Sequence, residues 1–251
     1  MTEAHTGLPF VSAEELRERV GPKRAFELIE RALLDGFDPS RDPARTHAGA
    51  GDGHLLLMPS TLGDWVGVKV ASVSPDNPAR DLPRIQAVYM LMDARTLTPR
   101  VLVDGVTLTS LRTPATSAVA VDRLAAPEAS RLVVFGSGPQ AVEHVVAVAG
   151  IRELTSVRMV GRTPHRVDSA LRELAERGIT AETGTEADVA EADIVVCATS
   201  AKDPLFDGSL VRDGACVVAM GSHEADRREL DAALMGRSLV VVEESDAALR
   251  E

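Results

Sequence analysis

The stretch "RLVVFGSGPQAVEHVVAVAG", residues Arg131–Gly150, joins a short apolar run to a helical pattern through a glycine-rich turn. Leu132–Phe135 is apolar and rich in β-branched side chains, the composition of a strand buried on both faces. After the turn, Ala141, Val142, Val145, Val146 and Val148 surround polar Glu143 and His144, a pattern that suits a helix on a core. The turn itself, Gly136-Ser137-Gly138-Pro139-Gln140-Ala141, matches G-x-G-x-x-A. In a dinucleotide-binding turn the first glycine permits the sharp reversal and the second lets a pyrophosphate approach the backbone. The third small residue lets helix and strand pack closely. The helix start also offers unpaired N–H groups to an anion. Glycines alone would fit a tight turn in any parallel sheet, but a strand before and a helix after point to a nucleotide. Gly136, Ser137, Gly138, Pro139 and Gln140 are therefore candidate cofactor contacts.

The same rhythm continues towards the C-terminus. Strands are expected at 132–135, 156–160, 179–182, 193–197, 215–220 and 238–242, with helices at 140–149 and 165–177. Strands alternating with helices make parallel βαβ units with right-handed crossovers. Towards the N-terminus the pattern changes. Ser12-Ala-Glu-Glu15 is a capping box opening a helix that stops near Gly21, and Pro22 starts a second that ends at Gly36. Residues 38–53, "DPSRDPARTHAGAGDG", read as a loop. Strands follow at His54–Met58, Trp65–Ser72, Ile85–Asp93 and Arg100–Val103, then a long connecting helix over "TLTSLRTPATSAVAVDRLA" with Pro114 disturbing its early part. The expected fold class is α/β. A smaller α+β substrate and dimerisation domain, residues 1–112, precedes a Rossmann-type doubly wound parallel sheet, residues 113–251.

Composition narrows the function. The 251 residues are 45% hydrophobic, ample for a core, and carry a net charge of −11. An acidic chain has no basic excess with which to release counterions, which argues against nucleic-acid or anionic-membrane partners. Cys197 and Cys216 sit in apolar runs and read as small buried hydrophobes in a reducing compartment. The start "MTEAHTG" lacks the basic and apolar regions of a signal peptide, and no apolar run reaches transmembrane length, so a cytoplasmic location is expected. His5, His47, His54, His144 and His165 show no metal-ligand spacing, and "EADRREL" reads as a solvated helix start. No metal is expected.

The second strand of the doubly wound half indicates which nucleotide. An NAD site carries an acid at the end of that strand to accept from the ribose 2′-OH. Here Val157–Val160 is followed by Gly161-Arg162-Thr163, a cation and a hydroxyl where a 2′-phosphate would lie. The cofactor is read as NADP(H) in preference to NAD(H). Two further strands end in Thr199 and in Met220-Gly221, and ligands of such sheets lie beyond those ends. Thr199, Met220 and Gly221 should edge the nicotinamide half.

With these residues in view, a wider likeness emerges. "GVKVASVSPDN", "DGVTLTSLRTPATSAVAVDRLA", "FGSGPQA", "VGRTP", "ADIVVCATS" and "GSHEADRRELD", in that order, resemble the ornithine cyclodeaminase/μ-crystallin family over nearly the whole chain. The resemblance implies a small amino or imino acid substrate, bound between an N-terminal dimerising domain and an NAD(P)-carrying Rossmann domain, in a homodimer. It also implies that Arg45, Lys69 and Arg112 bind the substrate carboxylate, with Thr113 near the nucleotide. Members of that family continue for several dozen residues past the point where this sequence stops at Arg250-Glu251.

The residues are compatible with those roles. Lys69 lies within "WVGVKVASV", a strand too apolar to hold an ammonium without a partner unless its proton is easily lost. An edge-strand lysine reaching back to water is the alternative. Arg112 carries a planar fork suited to a carboxylate. The departures matter equally. Leu56 stands where the cyclodeaminases carry an acid ahead of Met58-Pro59, His223 where a catalytic aspartate follows the late glycine, and Arg84 where a small hydroxyl residue is common. Without both acids, ring-closing deamination loses its general acid/base groups. Imine reduction suffers less, with Lys69 and His223 as candidate proton handlers, a structural or solvated loop histidine being the alternative for His223. The expected function is an NADPH-dependent reductase of a small imino acid. An NAD-dependent cyclodeaminase converting ornithine to proline, or a catalytically silent NADPH-binding protein, are the alternatives.

Overall fold

The computed structural model describes residues 7–221 and 226–249. Its strands form two sheets, one mixed and mainly antiparallel, the other wholly parallel. The chain divides into two units: the first runs as far as Thr109 without Pro22–Arg31, which cluster with the second, Ser110 onward.

In the first unit lie β1 (Phe10–Val11), α1 (Ala13–Arg19), β2 (Thr46–Ala50), β3 (Gly53–Leu62), β4 (Trp65–Val73), β5 (Ile85–Asp93) and β6 (Pro99–Asp104). The sheet order is β1-β6-β5-β4-β3-β2. The strands from β2 to β6 pair antiparallel with their neighbours, and β1 runs parallel to β6. At the start of α1 the expected box forms: Glu15 N–H donates to Ser12 Oγ at 3.2 Å, and Ser12 N–H to the Glu15 carboxylate at 2.9 Å. Interrupting the first unit in sequence, α2 (Pro22–Leu34) starts at its proline, and Gly36 beyond it takes φ +92. Such a positive φ is what glycine allows at a helix end.

The loop expected over 38–53 is corrected in part, because β2 lies within it. Its residues pair one by one with β3, from Thr46 opposite Leu57 to Ala50 opposite Gly53. Apart from half-buried Ala48, its side chains are exposed. No hydrophobic alternation is therefore written into it, and only the ladder to β3 makes it a strand.

The second unit contains most of α3 (Gly105–Leu124), followed by β7 (Arg131–Phe135), α4 (Pro139–Ala149), β8 (Ser156–Val160), α5 (Pro164–Glu176), β9 (Glu182–Thr183), β10 (Ile194–Cys197), β11 (Cys216–Ala219) and α6 (Ala232–Arg237). The sheet runs β11-β10-β7-β8-β9, and every pairing is parallel. This is the expected α/β doubly wound arrangement after an α+β portion. Helix α3 starts where Asp104 accepts from Thr107 N–H at 2.7 Å, and it continues through Pro114.

Both faces of this sheet are covered. Leu132 and Val134 of β7 pack with Val142, Val145 and Val148 of α4 and Leu174 of α5. Val133 and Phe135 turn the other way, onto Val189, Phe206, Val211 and Leu234. Full burial of each such side chain contributes about 1.5–3 kcal/mol, so β7 reads as continuously apolar because neither face meets water. At the amino ends of the strands, Asp193 accepts from the N–H groups of Ser130 and Arg131, both at 2.9 Å, and from the guanidinium groups of Arg131 and Arg212. Burial alone would raise its pKa, but these donors hold the carboxyl below the ordinary range.

One expected strand is overturned. Among the described residues none of 238–242 is in a strand, and Leu239 is 87% exposed. A β-branched run has the propensity for a strand but needs a ladder to satisfy its backbone, and β11 pairs only with β10 among the described residues.

Candidate functional site

Strand order reverses direction between β7 and β10, and in open α/β sheets ligands bind beyond the carboxyl ends at such a point. The glycine turn lies there. Gly136 has φ +124, and a Cβ on it would sit 2.5 Å from the carbonyl oxygen of Ala198 and 3.3 Å from Ala141 Cβ. Its N–H donates to the Val160 carbonyl at 2.8 Å. The first glycine is thus required by the protein's own backbone. Gly138 differs: it is the N-cap of α4 without a side-chain hydrogen bond, and a Cβ there would meet nothing within 4 Å. Ala141 is fully buried, as close helix–strand packing demands.

Two buried polar atoms beside this turn lack hydrogen-bond partners, Thr113 Oγ1 and Gln140 Oε1. Leaving such a group unsatisfied costs about 1–3 kcal/mol. Each precedes by four residues a member of a bonded pair, Ser117 on α3 and His144 on α4, whose Oγ and Nε2 lie 3.0 Å apart. Ser117 with His144 and, further along, Asp122 with Arg152 just past α4 show that the two helices run the same way. A shared displacement of about one helical turn therefore puts both unpaired atoms on the same side of that bridge, towards the α4 N-terminus. An open Gly138 backbone, an uncapped helix start and two unpaired polar atoms fit the polar groups of a dinucleotide. His144 is fully buried. That burial lowers its pKa, against the opposing effect of its 2.7 Å contact with the Gln140 carbonyl.

At the end of β8, Arg162 is exposed. Thr163 is the N-cap of α5, and its side chain makes no capping hydrogen bond. Past β10 and β11, half-buried Thr199 and Gly221 are joined through the carboxylate of Glu229, and Met220 N–H donates to the Cys197 carbonyl at 3.1 Å. Cys197 is pushed well above its usual pKa by burial and by the Glu229 charge.

The substrate candidates are distributed over both units. Lys69 lies on β4 opposite Met58 and Tyr89, half-buried, with Nζ donating to Thr109 Oγ1 at 3.3 Å. Arg45 is exposed, just ahead of β2, and Arg112 is half-buried on α3. His223 lies outside the described residues.

Residues 22–251 match the ornithine cyclodeaminase/mu-crystallin family. The chain belongs to that family. It is similar to a Delta(1)-pyrroline-2-carboxylate reductase of Colwellia psychrerythraea, 31% identical over 97% of this chain and 80% of that protein. It is also similar to the ketimine reductase mu-crystallin of Mus musculus, 28% identical over 96% of this chain and 80% of the relative. Among solved structures, the Thermococcus litoralis Delta(1)-pyrroline-2-carboxylate reductase in complex with NADH and L-proline superposes with a TM-score of 0.84. It is 29% identical, covering 92% of this chain and 74% of its own.

As a member of the ornithine cyclodeaminase/mu-crystallin family, the chain is an enzyme. Among its described residues no helix is long and apolar enough to cross a membrane, and no group of three or more His, Cys, Asp or Glu could hold a metal ion. One buried carboxylate beside the ends of β10 and β11 was not singled out in the sequence. Glu229, within the run read as a solvated helix start, is 1% exposed. A glutamate among arginines and aspartates carries no local sign of burial, so its composition did not mark it.

Proposed function

We propose that this family member is an NADPH-dependent reductase of a small imino acid, of the ketimine or cyclic-imine type. The observation that carries the reading is its 31% identity, over 97% of the chain, to a protein named for reduction of pyrroline-2-carboxylate, a cyclic imino acid. When bound, the reduced nicotinamide supplies a hydride to the imine carbon. The α4 start, with Gly136, Ser137, Gly138, Pro139 and Gln140, holds the pyrophosphate, and Thr113 and Gln140 use their unpaired atoms on the cofactor. Thr199, Met220 and Gly221 border the nicotinamide. Arg162 and Thr163 contact a 2′-phosphate, which favours NADP(H) over NAD(H).

Arg112 forks the substrate carboxylate, with Arg45 adding charge. Lys69 keeps the imine nitrogen protonated, so that the C=N π pair moves onto nitrogen as the hydride pair forms the new C–H bond, leaving the amine. His223 is a second candidate for that proton. The test is absorbance at the reduced-nicotinamide band while cyclic imino acids are offered with NADPH and with NADH. Consumption of NADPH supports the reading; ammonia release from ornithine with NAD would replace it with ring-closing deamination. Cofactor binding with no turnover of these imino acids would overturn the imine-reductase reading.

The first unit's sheet provides the dimer contact in this proposal. Its strands are at most half-buried over most positions, and a few apolar strands do not cover both of their faces alone. Light scattering at micromolar concentration should give a dimer, and a monomer removes this part of the proposal.

A further inference from the structure

The Glu229 side chain is almost wholly enclosed, at 1% exposure, and receives three donors. Oε1 accepts from the Thr199 N–H at 2.8 Å and from the Thr199 hydroxyl at 2.7 Å. Oε2 accepts from the Gly221 N–H at 2.8 Å. These donors follow directly on β10 and β11, so one carboxylate ties together the carboxyl ends of two adjacent parallel strands. The seating is tight: a Cβ on Gly221 would lie 1.9 Å from the Thr199 carbonyl oxygen and 2.7 Å from Glu229 Oε1. The backbone on either side is fastened as well, with Leu205 N–H on the Glu229 carbonyl at 2.9 Å and Arg228 N–H on the Lys202 carbonyl at 3.2 Å.

We propose that Glu229 is a positioning residue for the nicotinamide end of the cofactor, acting through Thr199 and Gly221. The inference rests on the dinucleotide reading above. A carboxylate suits the task because it offers acceptors alone, whereas an amide offers one oxygen and a pair of N–H donors. In Glu229→Gln, with the oxygen kept on Thr199, the amide nitrogen faces the Gly221 N–H, donor against donor. The Gly221 end is released, while the glycine turn that holds the pyrophosphate is untouched.

The test compares two probes on the full chain: NADPH, and 2′-phospho-ADP-ribose, which keeps the 2′-phosphate and lacks only the nicotinamide. In Glu229→Gln, NADPH should bind about tenfold or more weakly while 2′-phospho-ADP-ribose changes by less than about twofold, since the lost contact is charge-assisted and local to one end. Thr199→Val, which removes the hydroxyl and keeps the shape and the N–H, should move the same ratio in the same direction by less. It carries the comparison if Glu229→Gln does not fold. Equal losses for both probes would make Glu229 a general stabiliser of the unit and overturn the proposal, as would no loss at all. A wild-type chain that binds neither probe removes the dinucleotide reading itself. A wild type that binds both, with unaltered variants, removes only the role of Glu229.

Discussion

His144 Nε2 lies 3.0 Å from Ser117 Oγ, and the opposite ring nitrogen lies 2.7 Å from the Gln140 carbonyl oxygen. A carbonyl only accepts, so Nδ1 carries the proton and Nε2 accepts from the serine hydroxyl. The imidazole is neutral in the fold, and its burial lowers its pKa below the ordinary 6.5. The unfolded chain takes up a proton below 6.5 that the folded chain resists. The stability contributed is therefore complete above that pH and is lost as pH falls from there through the lower folded value. Thermal melts from pH 8 to pH 5 should show this decline. His144→Gln should be less stable at pH 8 by about 1–3 kcal/mol, with a flatter profile.

Gly136 and Gly138 should separate stability from binding. Gly136→Ala places a methyl 2.5 Å from the Ala198 carbonyl at φ +124, and such a backbone position costs a non-glycine residue about 1–3 kcal/mol. Gly138→Ala meets open space, so it should lose only the N-cap preference for glycine over alanine, about 1 kcal/mol or less. Its methyl should nonetheless obstruct a pyrophosphate. Denaturant melts beside NADPH titrations check both, and a Gly138→Ala protein with wild-type affinity would contradict the assigned role.

Arg162→Glu should weaken NADPH binding by about tenfold or more and leave NADH little changed, because a charge-assisted contact to the 2′-phosphate is replaced by repulsion. Equal responses from both cofactors would remove Arg162 from that position.

Arg112→Lys keeps the charge and loses the paired N–H geometry, so substrate affinity should fall about ten- to a hundredfold. Lys69→Met should lower turnover in addition, since it removes the ammonium assigned to keep the imine nitrogen protonated. Separate kcat and KM values for the two variants check this division. A Lys69→Met enzyme with unchanged kcat would show that the proton comes from elsewhere.

The glycine turn was legible in the sequence because its chemistry is local. Gly136 to Ala141 differ from their neighbours in backbone freedom and side-chain size, and those are properties of residue type. The same holds for the Ser12–Glu15 box, which closes within a single helical turn, and for the apolar strand Leu132–Phe135, which needs only its own composition to call for burial. Tertiary structure alone decided the rest. Thr46–Ala50 became a strand because β3 offered it a ladder, while the valines of 238–242 pair with no strand among the described residues. Glu229 looked like a surface charge until the ends of β10 and β11 aimed three donors at it. Thr113 and Gln140 gained significance only when folding buried their polar atoms without partners. Propensity and turn chemistry are properties of neighbours along the chain; burial and hydrogen-bond completion depend on residues that the fold brings from far away.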